Sequence, residues 1–253
     1  MVGKMVEHGP RIFDGSRGTI AQARRHAWSA PYKAAPLRAA IIDTLGPSSA
    51  TLKMSDVTAP LAICAVNFTH GRPEVFRSKG LAKRDASHTK VVDAVLASAA
   101  APTYFPAHQI GAETFIDGGI IANAPEVQGI TEAQTYITRS LSELYVLSVG
   151  TAARRKGAPL TTIGAASTRE WMLTHDLFDG TLAAQIELAR AQAAAIMGNR
   201  YYLVDREPLE KQAAAISGLD VVTAEATKTL ISLADESWFE HKSRPRLRRF
   251  FDQ

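Results

Sequence analysis

The stretch that most restricts the possible folds is VVDAVLASAAAPTYFP, which runs from residue 91 to residue 106. Residues 91 to 101 are almost all small and apolar, and Asp93 is the one charged side chain among them. Side chains this small let a helix pack closely on a β-sheet, and Pro102 ends such a helix. Asp93 fits either a cap at the helix start or a buried acid held by backbone amides, and we favour the cap.

Apolar runs bounded by turn residues surround this predicted helix. LAICAVNF (61 to 68) is continuous, and a polar loop separates it from EVFRS, which reads as a second strand. ETFI (113 to 116) and LYVLSVG (144 to 150) read as further strands. Continuous apolar runs are typical of strands that are buried on both faces, and their alternation with helices predicts an α/β fold with a largely parallel sheet.

The pattern changes after Gly150, where residues 152 to 168 form a polar connection. LFDGTLAAQIELARAQAAAIM is apolar at roughly helical intervals, and Gly198 with Asn199 supplies a stop. The remaining sequence also has a helical pattern. We therefore predict a domain over residues 1–151 and a helical extension over residues 152–253 that packs on the same domain.

Composition excludes several classes of protein. A chain of 253 residues with 46% hydrophobic content can bury a substantial core. The 29 basic and 25 acidic residues are interspersed and leave a formal charge of +4, which does not favour nucleic-acid binding. Cys64 is the single cysteine, so no internal disulfide is possible. With no apolar run long enough for a bilayer and no signal-peptide pattern, the sequence predicts a soluble cytoplasmic protein.

The segment FIDGGIIANAP (115 to 125) raises a choice about Asp117. Asp-Gly between apolar residues is a strong hairpin signal. A hairpin needs a return strand, however, and here Asn123 as the N-cap and Pro125 in the first turn indicate a helix start. The alternative is chemical, because an aspartate at the end of a buried strand is able to activate a serine hydroxyl. Gly118 and Gly119 lack side chains and would then let another backbone turn approach the carboxylate closely, and either can adopt a positive φ.

The sequence VVDAVLASAAAPTYFPAHQIGAETFIDGGIIANAPEVQGI resembles the patatin-like phospholipase family. In that family a helix ending in small residues and an A-A-P-T-Y-F-P turn precede a strand that carries D-G-G or D-G-A. LAICAVNFTHGRPEVFRS is similar to the paired strands of the family upstream of this region, and the similarity continues to LYVLSVGT. The resemblance covers roughly residues 1 to 151, and the tail has weaker similarity to the helical extension of bacterial members.

This resemblance implies a three-layer patatin-like sheet with flanking helices and a helical C-terminal extension. It also implies hydrolysis of phospholipids or related acyl lipids by a Ser–Asp dyad, as part of lipid catabolism. Asp117 would be the base, while Gly118, Gly119 and Asn123 would shape the site. Neither a metal nor an organic cofactor is implied.

The sequence departs from the family in one respect, because we find no Gly-x-Ser-x-Gly turn and no glycine-rich oxyanion loop. The nearest stretches, Gly15-Ser16-Arg17-Gly18 and Gly46-Pro47-Ser48-Ser49, have neither the glycine spacing nor a preceding apolar strand. We therefore expect that the N-terminal strands and the nucleophile elbow are missing and that the truncated chain is inactive alone, with a complementing N-terminal fragment as a possible partner. The alternative is a non-catalytic lipid- or partner-binding subunit or pseudoenzyme. The resemblance of the tail alone suggests a third alternative, a bacterial effector switched on by a cyclic nucleotide.

Other polar residues carry less specific signals. The seven histidines lack metal-ligand spacing, and we interpret His70 and His108 as loop residues. The C-terminal sequence HKSRPRLRRF is basic and would suit peripheral contact with an anionic membrane, although we favour a solvated tail. Its basic side chains are Lys242, Arg244, Arg246, Arg248 and Arg249.

Overall fold

The structure is a computed structural model that describes residues 2–13, 30–152, 177–218 and 220–251. These residues belong to two compact units that alternate along the chain. The first unit comprises Met1–Ala122 and Glu132–Arg139, and the second comprises Asn123–Thr131 and Ser140–Gln253. Both units mix helices with strands, which confirms the predicted α/β class.

A four-stranded sheet forms the centre of the first unit, with the strand order β2-β1-β4-β3. The strands are β1 (Ala62–Asn67), β2 (Arg72–Arg77), β3 (His108–Ile110) and β4 (Glu113–Asp117). The strands predicted over 61–68, 74–78 and 113–116 are therefore confirmed, and β3 is an addition.

Pairing in this sheet is antiparallel throughout the described residues, so the prediction of largely parallel pairing is wrong here. The reason lies in the connections. Short turns containing Gly71 and Gly111 join β1 to β2 and β3 to β4, and both glycines have positive φ, +63° and +62°. A turn this short can join only antiparallel neighbours, because a parallel pair needs a long crossover.

The predicted small-residue helix is present as α3, and it packs on β1, β3 and β4. The helices of this unit are α1 (Val2–Ile12), α2 (Ala34–Leu45), α3 (Val91–Ser98) and the short α4 (Gly119–Ala122), and α5 (Glu126–Tyr136) contributes residues to both units. Ala94 and Ala97 of α3 are fully buried against a core that includes Phe76 and Phe115. Small side chains thus give the close helix-to-sheet packing that the sequence indicates.

The second unit contains a two-stranded parallel pair, β5 (Val146–Val149) and β6 (Tyr201–Val204). Its further helices are α6 (Leu177–Met197), α7 (Glu210–Ala215), α8 (Ala224–His241) and α9 (Pro245–Arg248). The helix predicted before Gly198 is confirmed, and Gly198 ends it with φ of +54°. Strand β5 is also confirmed, whereas β6 lies where we predicted only helix.

No helix within the described ranges is long and apolar enough to cross a membrane. The polar connection predicted over residues 152 to 168 lies outside the described residues, apart from Ala152.

Candidate functional site

Asp117 is the last residue of β4 and is paired with Ala65 of β1. Side chains alternate between the two faces of a strand, so Asp117 lies on the same face as Phe115, whose ring is buried in the core beneath α3. Asp117 itself is only partly buried. The carboxylate therefore lies at the end of an inner strand, on the face of the sheet that packs against α3.

The backbone around Asp117 is fixed by the end of α3. The N–H of Asp117 donates to the carbonyl oxygen of Ala100 at 3.1 Å, and the N–H of Gly118 donates to that of Ser98 at 3.2 Å. The last carbonyl groups of a helix have no partners within the helix, and the N–H of Gly118 satisfies that of Ser98, the last residue of α3. These two bonds join the A-A-P turn to the D-G-G segment and fix the position of the aspartate.

Gly118 is required for steric reasons. A Cβ atom at this position would lie 2.6 Å from the carbonyl carbon of Cys64 and nearer still to its oxygen. The segment that comes this close to Gly118 is strand β1. The predicted approach of another backbone turn to the carboxylate stays a prediction. Positive φ is not the reason, since neither Gly118 nor Gly119 is among the described glycines with positive φ.

The carboxylate of Asp117 accepts one hydrogen bond, which the backbone N–H of Gly119 donates to Oδ1 at 2.7 Å. Burial raises the pKa of Asp117 above its ordinary value, and the bond from Gly119 acts in the opposite direction. Among the residues that the structure describes, no group donates a hydrogen bond to Oδ2 of Asp117. Oδ1 is thus held in place by the backbone of the next turn.

The chain turns into a helix directly after the aspartate, so the hairpin interpretation of Asp-Gly is wrong. The N–H of Ala122 donates to the carbonyl oxygen of Gly118 at 2.9 Å, which closes the single turn α4. Asn123 follows that turn and belongs to the second unit, where its N–H lies 3.4 Å from Oε1 of Gln185.

Asn123 does not cap the next helix, because α5 begins only at Glu126. The short helix α4 occupies the residues up to Ala122, which moves the start of α5 along the chain. The carbonyl oxygen of Pro125 accepts the N–H of Gly129 at 2.8 Å, so Pro125 stands at the helix start as the sequence suggests. A role for Asn123 in shaping the site stays a prediction.

The serines that we compared with a nucleophile turn do not contact Asp117 in the described part of the chain. Ser48 and Ser49 lie in a 3₁₀ helix that follows α2 rather than a strand. Ser49 is buried, and its hydroxyl donates to the carbonyl oxygen of Gly46 at 2.6 Å. Ser16 lies outside the described residues.

Asp93 and His108 have structural contacts away from Asp117. Asp93 is in the first turn of α3 and is not its cap, since Lys90 occupies that position. Oδ1 of Asp93 instead accepts a hydrogen bond from Nη1 of Arg38 at 2.8 Å. Nε2 of His108 lies 3.3 Å from the same oxygen, and His108 is in β3 rather than in a loop. His70 pairs with Glu113 at 2.8 Å on the surface of the first unit.

The second unit holds a buried polar group that the sequence did not reveal. Glu126 is 7% exposed, and its Oε1 accepts a hydrogen bond from Oγ of Ser148 at 2.6 Å. Arg190 lies 3.7 Å from the same oxygen and pairs with Asp205 at 2.8 Å. The partners come from β5, α6 and the segment after β6, and no local pattern signals that they meet.

Comparison with known proteins assigns the chain to a family. The family model described as patatin-like phospholipase matches residues 18–129, which include the α3 and D-G-G segments. The chain is 30% identical over 230 residues to a cGAMP-activated phospholipase of Pseudomonas aeruginosa, and 28% identical over 255 residues to a cGAMP-activated phospholipase of Vibrio cholerae. It is also 26% identical over 179 residues to Patatin-1-Kuras 2 of Solanum tuberosum. The chain belongs to the patatin-like phospholipase family.

These alignments cover most of this chain but only part of its relatives. They include 88% of the chain with the Pseudomonas protein, 92% with the Vibrio protein and 67% with the potato protein. The matched regions make up 66%, 69% and 44% of those relatives, and 35% of a further cGAMP-activated phospholipase of Escherichia coli. The chain therefore spans about two thirds or less of these proteins.

Proposed function

We propose that this chain belongs to a lipid acyl hydrolase, a phospholipase or esterase in which Asp117 is the base of a Ser–Asp dyad. The observation that carries the proposal is the carboxylate at the end of β4, with Oδ1 held by Gly119 and Oδ2 without a donor in the described residues. Family membership supports an acyl-lipid substrate. The proposal needs no metal ion and no organic cofactor.

The proposed chemistry follows from the position of the proton. The Asp117 carboxylate takes the proton of a serine hydroxyl as the serine oxygen attacks the ester carbonyl, and the protonated aspartate returns it to the leaving alcohol. Water then hydrolyses the acyl-enzyme by the same route. Burial raises the pKa of Asp117, which makes its carboxylate a stronger base than an exposed aspartate.

We propose that the serine is neither Ser16 nor Ser48 and that the 253-residue chain alone has no esterase activity. A base without a nucleophile has nothing to activate, and the loss of a single oxyanion donor alone typically costs about 10² to 10³ in rate. A separate N-terminal fragment that carries a Gly-x-Ser-x-Gly turn would be the complementing partner. Such a fragment would supply the serine hydroxyl and the oxyanion donors together.

Hydrolysis of p-nitrophenyl butyrate tests this proposal, with Asp117→Asn as the diagnostic variant and Ser16→Ala/Ser48→Ala as the matched control. We expect the purified chain to show no turnover above buffer. Turnover that survives the two serine changes but disappears in Asp117→Asn would contradict the proposed inactivity and would still support the base. Turnover that Asp117→Asn leaves intact would overturn the dyad.

The DNA upstream of the Met1 codon separates the hydrolase from its rival, a non-catalytic lipid- or partner-binding subunit. The rival is favoured by the lack of any serine contact to Asp117 within the described ranges. An in-frame or frameshifted Gly-x-Ser-x-Gly sequence would favour the hydrolase. In a protein that carries such a turn, Asp117→Asn should lower the esterase rate by about 10² to 10⁴, the usual contribution of a general base.

We also propose that a cyclic dinucleotide regulates this protein. Relatives from three bacteria are named cGAMP-activated phospholipases, and two of them align with 88% and 92% of this chain. A ligand present at 100 times its Kd stabilises a folded protein by about 2.7 kcal/mol. Thermal melts with cGAMP, and with an equimolar mixture of AMP and GMP as the control, test this proposal. An equal shift, or none, in the two samples would contradict it.

A further inference from the structure

The last turn of α8 presents two large aromatic side chains to solvent. Trp238 is 53% exposed and Phe239 is 66% exposed. Lys242 follows Phe239 by three residues and Trp238 by four, so the three side chains lie on one face of the helix end. The Lys242 ammonium group lies 3.9 Å from the centroid of the Phe239 ring. An aromatic pair and a cation are therefore adjacent on the surface of the second unit.

The basic segment that follows is an anchored element and not a free tail. Leu247 of α9 is 3% exposed, and Nη2 of Arg246 donates to the carbonyl oxygen of Tyr201 at 2.8 Å. The guanidinium of Arg249 lies over the ring of Tyr145 at 5.1 Å. These contacts fix α9 to its own unit, which differs from the solvated tail that the sequence favoured.

The remaining cations of this segment have no acidic partner among the described residues. Lys242, Arg244 and Arg248 are exposed and form no ion pair there. Glu236 and Glu240 are the two acids at the end of α8, and each already forms an ion pair with Arg206, at 2.8 and 3.1 Å. Residues 242 to 251 contain five basic residues and no acid. These three exposed cations are thus unpaired within the described residues, and the segment that carries them is fixed by Arg246 and Leu247.

We propose that this surface, which we call the aromatic–basic patch (Trp238, Phe239, Lys242, Arg244 and Arg248), docks the protein on an anionic lipid bilayer. Exposed aromatic rings insert at the boundary between head groups and acyl chains, and nearby lysine and arginine side chains pair with anionic head groups. A cation without an acidic neighbour gains most from such a surface. The docking involves a lipid surface as a whole and does not depend on the hydrolase proposal.

Co-sedimentation with vesicles tests the docking. The protein carries Asp117→Asn so that no lipid is consumed, and the vesicles are phosphatidylcholine alone or phosphatidylcholine with phosphatidylglycerol at about 7:3. We expect binding to the anionic vesicles that weakens as salt is added, because exposed charges are screened. Each basic side chain near such a surface contributes about five-fold in affinity, so Lys242→Gln/Arg244→Gln/Arg248→Gln should bind roughly 100-fold more weakly.

A matched control removes the same charge elsewhere. Lys83, Arg84 and Lys211 are exposed and have no ion pair in the described residues, so Lys83→Gln/Arg84→Gln/Lys211→Gln should bind like the parent. Equal weakening of vesicle binding in both triple variants would show that only the net charge matters, and it would contradict the proposed patch. Unchanged binding in the first triple variant would overturn it as well.

The aromatic pair has its own readout. Trp238 is one of three tryptophans, and with Trp28→Phe and Trp171→Phe it is the sole indole. Its emission should shift to the blue on anionic vesicles. Trp238→Ala/Phe239→Ala, made in the protein that keeps Trp28 and Trp171, should abolish sedimentation. Vesicle binding without a blue shift would refute the insertion. A Trp238→Ala/Phe239→Ala variant that still sediments would refute it as well. If the mass of that variant in light scattering also changes, a second copy of the chain covers the patch instead.

Discussion

Replacing Gly118 by alanine should destabilise the first unit far more than an ordinary glycine-to-alanine change. The added Cβ would meet the carbonyl group of Cys64, whose carbon lies 2.6 Å away. These are main-chain atoms of a paired strand, so they cannot move aside like the end of a flexible side chain. We expect a loss of about 3 kcal/mol, the upper part of the usual range for overpacking. That loss corresponds to a fall in Tm of roughly 6 to 12 °C.

Gly129→Ala is the matched control, because Gly129 lies in α5 with no atom within 4 Å of the added Cβ. Alanine is favoured over glycine in a helix by up to about 1 kcal/mol, so this variant should melt at the parent temperature or above it. Circular dichroism melts of the parent and both variants give the comparison. If Gly118→Ala melts with the parent, the close approach of β4 to β1 at Cys64 cannot be as described, and the steric argument fails.

Three further predictions concern titratable groups. Burial raises the folded-state pKa of Asp117, so the ionised carboxylate lowers the stability of the fold at neutral pH. In urea titrations at pH 7, Asp117→Asn should therefore be as stable as the parent or more stable. This gain in stability should shrink as the pH falls through the raised pKa. Arg77 binds buried Glu132 through two hydrogen bonds of 2.6 and 2.7 Å, so Arg77→Ala should lose about 3 to 5 kcal/mol in the same assay, and Arg77→Met/Glu132→Met should recover much of it. Burial also raises the pKa of the Cys64 thiol, so at pH 8 it should react with Ellman's reagent much more slowly in the folded protein than in 6 M urea. A stability loss in Asp117→Asn, an unaffected Arg77→Ala or equal thiol rates would each contradict the corresponding assignment.

Elements with a strong local pattern could be predicted from the sequence. The small-residue helix α3 and the long helix α6 repeat their apolar positions over many residues, and β1 is a continuous apolar run. The strands β3 and β6 could not, because they have three and four residues and form through pairing with partners that the sequence does not identify. The predicted parallel pairing is wrong because apolar runs do not specify strand direction, whereas the short turns that join the strands do.

The position of Asp117 at a strand end was predictable, and the contacts that support it were not. Asp117 stands out in the sequence because no return strand follows its Asp-Gly pair, and the structure gives it a partly buried position at the strand end. The reasons for Gly118 and for the fixed backbone lie in Cys64 and in the end of α3, which become neighbours only in the folded chain. Asn123 was misassigned as a cap because its local signal fits two different helix boundaries.

The parallel pairing of β5 with β6 has a consequence for the order in which the protein matures on the ribosome. Strands β1 and β2 are nearly contiguous, so their hairpin can form soon after residue 77 leaves the exit tunnel. Strand β5 cannot pair until Tyr201–Val204 has been synthesised, and this pairing closes a long stretch of chain at a cost in conformational entropy. Pulse-labelled hydrogen exchange should therefore protect the amides of β1 before those of β5, and simultaneous protection would show that the two units fold as one.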